Sequence, residues 1–326
     1  MVVGGRNWVA PLAIAAVGVI LSLVVQDNNF VLMFLSNTMI YIMLSMGLQL
    51  MLGSTGLLFL CSAAFWGAGG YTSAYLTARL HWPWLLGLAG AVGVTVALGF
   101  ILAPIVRLKG TYFAMSTFAI GAMAVVFFRE LPFTGGVNGF LGIGPLELFG
   151  WTAQTPLSMY YVVLFFLVFQ YVVFERLLSS SYGRSLRAIK QNEVAAWASG
   201  INVPWTQVKT IILGVAFAGV AGSLLVHTQG FANPDMFSVD KSIFILVMMV
   251  VGGSTSLGGT ILGAVVMQFL AQYTRELQSY IMLVYGVVLV FCMTFLPAGL
   301  AGLVQGISRA ATGRLGRRGA AEGRAV

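Results

Sequence analysis

The sequence predicts an all-α polytopic membrane protein with about ten transmembrane helices, within a range of 8 to 10, and with both termini cytoplasmic. Three observations predict it. Of the 326 residues, 59% are hydrophobic and 8% charged, well beyond the roughly half apolar usage of a soluble domain. The apolar residues fall mostly in runs near the ~20 that cross a bilayer as a helix, too long for barrel strands. The 17 Lys and Arg residues are shared unequally between the two sides that these runs define.

The ten runs lie at roughly 8–25, 30–52, 56–78, 84–106, 111–128, 157–175, 207–228, 242–251, 258–273 and 280–296. The first follows Arg6 and has the look of a signal-peptide core, but no small-x-small cleavage site precedes Gln26, Asp27 and Asn28, so it is read as a spanning helix. The eighth is too short to cross unaided. Before the fourth, His81-Trp-Pro-Trp84 reads as an interfacial aromatic anchor. With both termini on one side, that side holds Arg6, Arg107, Lys109, Arg176, Arg184, Arg187, Lys190, Lys209, Arg309, Arg314, Arg317, Arg318 and Arg324. The other holds Arg79, Arg129, Lys241 and Arg275, which makes the termini cytoplasmic and the longest loop, 129–156, extracytoplasmic. Residues 1–302 are expected to form the membrane unit, and the basic tail 303–326 to lack fixed structure and to be drawn to anionic lipid heads.

Glycine marks the places where the helices turn or approach. The loop at 129–156 is rich in glycine and proline, which predicts turns or a short reentrant piece rather than a domain. Its TGGVNG run, 134–139, reads as a structural turn with left-handed glycines, or as a direct ligand contact. No Lys-Ser/Thr follows to make it a phosphate cradle. Gly53-Ser-Thr-Gly56 and Gly253-Ser-Thr-Ser256 are alike and hint at two related halves. Around Gly252, Gly253, Ser254, Gly258 and Gly259, two readings stand: close helix packing, or a helix broken at membrane depth where a pathway runs.

The chemistry of self-powered transport and of catalysis is missing from the runs. Asp27, Glu130, Glu147, Glu175, Glu193, Asp235, Asp240, Glu276 and Glu322 all fall at helix ends or in loops, which argues against coupling to an ion gradient. Cys61 and Cys292 have no CxxC or Cys/His spacing, and His81 and His227 form no pair, so no metal site is expected. His227, with Gln229 and Asn233, either lines an outer mouth or is a satisfied interfacial histidine. No GxxxxGK[ST] occurs, so ATP hydrolysis, if used, belongs to a partner. A net charge of +8 would suggest nucleic acid in a soluble protein; here the cations flank apolar runs, where they set orientation.

One long polar interval remains, 183–209. Helical periodicity places Leu186, Ile189, Ala196 and Trp197 on one side and Arg184, Arg187 and Gln191 on the other, predicting a single amphipathic helix capped near Ser185 and stopped at Ser199-Gly200. A basic amphipathic helix also suits the inner leaflet. Gln191-Asn-Glu193 with the small residues Ala195, Ala196, Ala198 and Gly200 suits a protein groove better, so the interval is read as a docking site for a soluble partner.

GRSLRAIKQNEVAA, running from Gly183 on toward Gly200, resembles the cytoplasmic coupling motif of bacterial ABC-importer permeases, in the form found in branched-chain (hydrophobic) amino-acid permeases. GSTGLLFLCSAAFWGAGGYTSAYL, RLKGTYFAMSTFAIGAM, LPFTGGVNGF and MVVGGSTSLGGTILGAVV are similar, in this order, to that family's M-type subunit. Where the family shows a Ser-Leu-Gly-His type of sequence, this chain has Leu60-Cys61-Ser62. The resemblance implies an ABC importer permease fold in a bacterial inner membrane, one permease subunit of a complex with a second permease, two ATP-binding subunits using ATP and Mg, and an extracytoplasmic solute-binding protein. It implies ATPase coupling at Gly183, Arg184, Arg187, Ala188, Lys190, Gln191, Asn192, Glu193, Ala195, Ala196 and Gly200, and binding-protein contact at Gly135, Gly136, Asn138, Gly139, Asn233 and Asp235. Similar permeases serve urea and short amides, and a self-sufficient small-solute channel is the rival outside this class.

Overall fold

The computed structural model describes residues 9–108, 110–148, 151–254, 256–274, 281–295 and 299–302. Arg6, Lys109, Arg275 and the basic tail lie outside them. Among the described residues the chain forms helices α1 (Val9–Val25), α2 (Asn29–Leu48), α3 (Ser62–Ala74), α4 (Trp84–Ile101), α5 (Thr111–Glu130), α6 (Pro156–Ser179), α7 (Ser181–Gln191), α8 (Glu193–Ala198), α9 (Val203–Gln229), α10 (Val239–Gly252), α11 (Leu257–Tyr273) and α12 (Ile281–Phe295). Five helical stretches, 29–53, 84–101, 111–130, 156–179 and 203–229, are long and apolar enough to cross a membrane; Val9–Val25, Leu257–Tyr273 and Leu283–Cys292 are shorter apolar helices. The chain is an all-α membrane protein.

Two helices form the axis. In α9, 83% of the most apolar window is buried, and in α2 67%, whereas α4 and α5 each bury 28%, so α2 and α9 are interior and α4 and α5 peripheral. The α3–α9 crossing is tight because glycines face each other: a methyl group on Gly69 would strike the Gly219 backbone, and one on Gly222 the Trp66 carbonyl. Hydroxyls supply what an apolar interior otherwise lacks. Ser73 and Ser223 share a 2.7 Å hydrogen bond, and the Trp84 indole donates to Ser223 Oγ at 3.1 Å. His227 is buried, with Nδ1 2.8 Å from the Ser223 carbonyl and Nε2 3.3 Å from Thr77 Oγ1. The carbonyl makes Nδ1 the donor and leaves Nε2 an acceptor facing the Thr77 hydroxyl, whose proton goes to the Ser73 carbonyl at 2.8 Å. His227 is thus buried in α9 with Nδ1 bonded within its own helix and Nε2 against the turn that follows α3.

Two stretches differ from the sequence expectation. The run at 56–78 is not one helix. After α2 the chain passes through a wider π-type turn, Gln49–Gly53, leaves helical geometry at Gly56 (φ 81°) and runs irregularly to Cys61 before α3 begins. Thr117 of α5 supports this stretch by accepting from the Leu60 amide at 3.2 Å, and the Ser242 hydroxyl accepts from the Ala63 amide at 3.0 Å. The interval 183–200 is two helices rather than one. The long loop consists of turns rather than a domain, as expected, but with short strands added: 3₁₀ turns at Pro132–Thr134 and Gly136–Asn138 lead to strands β1 (Phe140–Leu141), β2 (Leu146–Leu148) and β3 (Trp151–Ala153). β2 pairs with β3, and β1 pairs with β4 (Phe231–Ala232), both antiparallel.

Candidate functional site

The polar segment is built from caps. Ser180 accepts from the Tyr182 amide at 3.2 Å and starts α7 directly after α6, ahead of the expected cap at Ser185. Gly183 is buried where a methyl group would strike the Leu178 backbone, and Arg187 donates to the Leu178 carbonyl at 2.9 Å, so both secure α7 to the end of α6. The Tyr182 hydroxyl lies 2.9 Å from both the Thr206 carbonyl and Thr210 Oγ1 of α9. Burial pushes its phenol up, with the Thr210 hydrogen bond opposing. At Asn192 the backbone turns extended (φ −158°, ψ 108°), ending α7, and Asn192 Oδ1 accepts from the Ala195 amide at 3.0 Å to start α8. Gly200, at φ 83°, ends the unit, and Asn202 caps α9 through the Trp205 amide at 3.2 Å.

The segment's two faces follow. Leu186, Ile189 and Ala196 are buried, and Ile189 and Ala196 pack with Val203. Arg184, Gln191, Asn192, Ala195 and Gly200 are exposed, and Ala188 and Glu193 intermediate. Trp197, expected on the apolar underside, is 70% exposed, and Val194 beside it 73%. The break at Asn192 rotates α8 relative to α7, so one continuous helical wheel does not describe both. Val194 and Trp197 border a cavity of about 250 Å³ with Val106, Arg107, Glu193, Val203, Pro204 and Gln207.

Lys190 points elsewhere. Its Nζ donates to the carbonyl of Gly53, at the end of α2, at 2.6 Å. There the two glycine-serine turns meet: a methyl group on Gly53 would strike the Ser254 carbonyl, one on Gly252 the Gly259 backbone, and one on Gly299 the backbone of Gly253. Gly253 (φ 103°) separates α10 from α11, and Ser256 caps α11 through the Gly259 amide at 3.1 Å. Gly258 has open space around it. The glycine contacts are those of close helix packing, the first of the two sequence readings, and they fall where α10 ends.

At the opposite end, the two loop regions expected to act together are joined. Gly135, Gly136 and Gly139 all have positive φ, and a methyl group on Gly139 would strike the Ala232 carbonyl where β1 meets β4. Arg129 pairs with Asp235, and Asn233 Oδ1 accepts from the Asp235 amide at 2.9 Å. Asn138 is exposed beside Val137, which is 69% exposed. Between α3, α4 and α5 runs an apolar cavity of about 730 Å³, lined among others by Phe65, Tyr71, Leu98, Met123, Phe127 and Phe133, with no charged side chain in its lining.

The bundle of apolar helices thus carries a capped polar unit at one end and a small β-laced cap at the other. Comparison with known proteins decides the family: the model described as "Branched-chain amino acid transport system / permease component" matches residues 30–293. The chain belongs to the branched-chain amino acid permease family. It is 32% identical over 298 residues to the high-affinity branched-chain amino acid transport system permease protein LivM of Salmonella typhimurium, covering 82% of this chain and 69% of the relative. Escherichia coli K12 LivM is 31% identical over 293 residues, with the same coverage. LivH of Escherichia coli K12 is 26% identical over 286 residues, covering 80% of this chain and 91% of the relative. No solved structure matches. Lys190 is itself exposed, and the reach of its ammonium to Gly53 has no local signal in the sequence. Sequence reasoning also missed the split at Asn192, although Asn followed by Glu193 is a helix-start signal.

Proposed function

We propose that this permease is the M-type membrane subunit of an ATP-driven importer of branched-chain amino acids, set in a bacterial inner membrane with about ten spanning helices. A second permease subunit, two ATPase subunits supplying ATP and Mg chemistry, and an extracytoplasmic binding protein complete the machine. The α7–α8 end and both termini face the cytoplasm, residues 1–302 form the membrane unit, and 303–326 are a basic cytoplasmic appendage. The β1–β4 surface around Gly135, Gly139, Asn233 and Asp235 receives the binding protein.

The observation that carries this reading is α8, which sets Val194 and Trp197, 73% and 70% exposed, beside the cavity that Arg107 lines. An apolar pair with an aromatic anchor, rimmed by a cation, is what a protein partner engages. Among the described residues Arg107, Arg184, Arg187 and Lys190 share this end, which supports a cytoplasmic placement. The test is Ala195→Asp, an exposed position on α8, in the complex reconstituted in liposomes. Leucine uptake and leucine-stimulated ATP hydrolysis should both collapse; if both persist, α8 is not the docking element.

A further inference from the structure

The coupling segment touches more than its prospective partner. Lys190 leaves α7 and donates to Gly53, 137 residues away in the chain, at 2.6 Å. Gly53 closes the π-type turn at the end of α2, and the chain leaves helical geometry at Gly56, so the amide that would bond this carbonyl in a continuing helix is turned away. The end of a helix also carries partial negative charge, which suits an ammonium. From Gly53 the contact continues without side chains. Its α-carbon packs on the Ser254 carbonyl, and Gly252 and Gly253 pack on Gly259 and Gly299. Backbone against backbone transmits displacement stiffly, because no rotamer can absorb it.

We propose that Lys190 is a positioning residue that ties the coupling segment to the junction of the α2–α3 and α10–α11 breaks, and so links ATP hydrolysis to rearrangement of the pathway. The inference rests on the importer reading above and assigns Lys190 an inward role instead of an ATPase contact. Displacing α7 pulls on Gly53; Gly53 moves Ser254; the ends of α2, α10 and α11 shift together. Such a tie matters to transport only if the junction has two arrangements that the segment biases.

The test uses the complex of this chain with the second permease, ATPase subunits and binding protein in liposomes, reading leucine uptake, phosphate release and co-purification. Lys190→Met should leave the ATPase subunits bound and hydrolysing, while leucine carried per ATP hydrolysed falls about tenfold, the scale of one lost charge-assisted hydrogen bond. Lys190→Arg, which can still reach the carbonyl, should recover most of it. Gly53→Ala, which pushes on Ser254 and leaves Lys190 intact, should lower the same ratio. Unchanged leucine per ATP in Lys190→Met overturns the proposal. So does release of the ATPase subunits by Lys190→Met, which would make Lys190 a docking contact. If wild-type complex shows no ATP-dependent uptake, the importer reading itself fails, an outcome visible before any variant is made.

Discussion

Ser223 holds together more of the interior than its size suggests, because its hydroxyl meets Ser73 of α3 and the Trp84 indole of α4, while its carbonyl orients His227. Ser223→Ala would leave a buried indole N–H without a partner. The expected cost is about 1–2 kcal/mol, between the small average for interhelical hydrogen bonds in membranes and the penalty for an orphaned buried donor. It would appear as a lower midpoint in thermal unfolding of the detergent-solubilised permease, and an unchanged midpoint would show the network to be dispensable. Part of this was legible in sequence. Ser223 and His227 lie four residues apart on one helix, as do Ser73 and Thr77 on another, so each pair shares a face. That the two faces meet is a tertiary fact, set by the glycine crossing at Gly69 and Gly219, which no local spacing announces.

At the level of elements, the apolar runs located helices but could not see where they stop being helical. The stretch from Gly56 to Cys61 is as apolar as a helix interior, and what holds it open is the Thr117 hydroxyl on α5, remote in sequence. The split between α7 and α8 was hidden for the opposite reason, since Leu186, Ile189 and Ala196 fit one helical wheel across the break. Asn192 makes the break, which yields a prediction for α8 as a unit. Asn192→Ala removes the cap on Ala195 and costs α8 about 1 kcal/mol, and Asn192→Ser, another good cap, costs far less. In a titration of purified ATPase subunit against reconstituted permease, the alanine variant should bind about fivefold more weakly and the serine variant close to wild type. Equal affinity for all three would mean that α8 needs no preformed helix to dock.

Across the molecule as a unit, what each end can bind depends on which side of the bilayer it faces. The structure fixes that α8, with Val194, and the 3₁₀ turn carrying Val137 belong to opposite ends of α9, since Val203 begins that helix beside α8 and Gln229 ends it beside β4. At 27 residues α9 is about 40 Å long, more than the ~30 Å of a hydrocarbon core, so the two ends lie on opposite sides if α9 spans. Val137 and Val194 are both highly exposed, so a cysteine at either should react without disturbing the fold, and the native Cys61 and Cys292 are buried. In intact cells a membrane-impermeant maleimide should label Val137→Cys and spare Val194→Cys, and permeabilising the inner membrane should expose the second. The reverse pattern would put α8 outside the cell, out of reach of any ATPase, and would remove the coupling roles assigned to Ala195 and Lys190 at once.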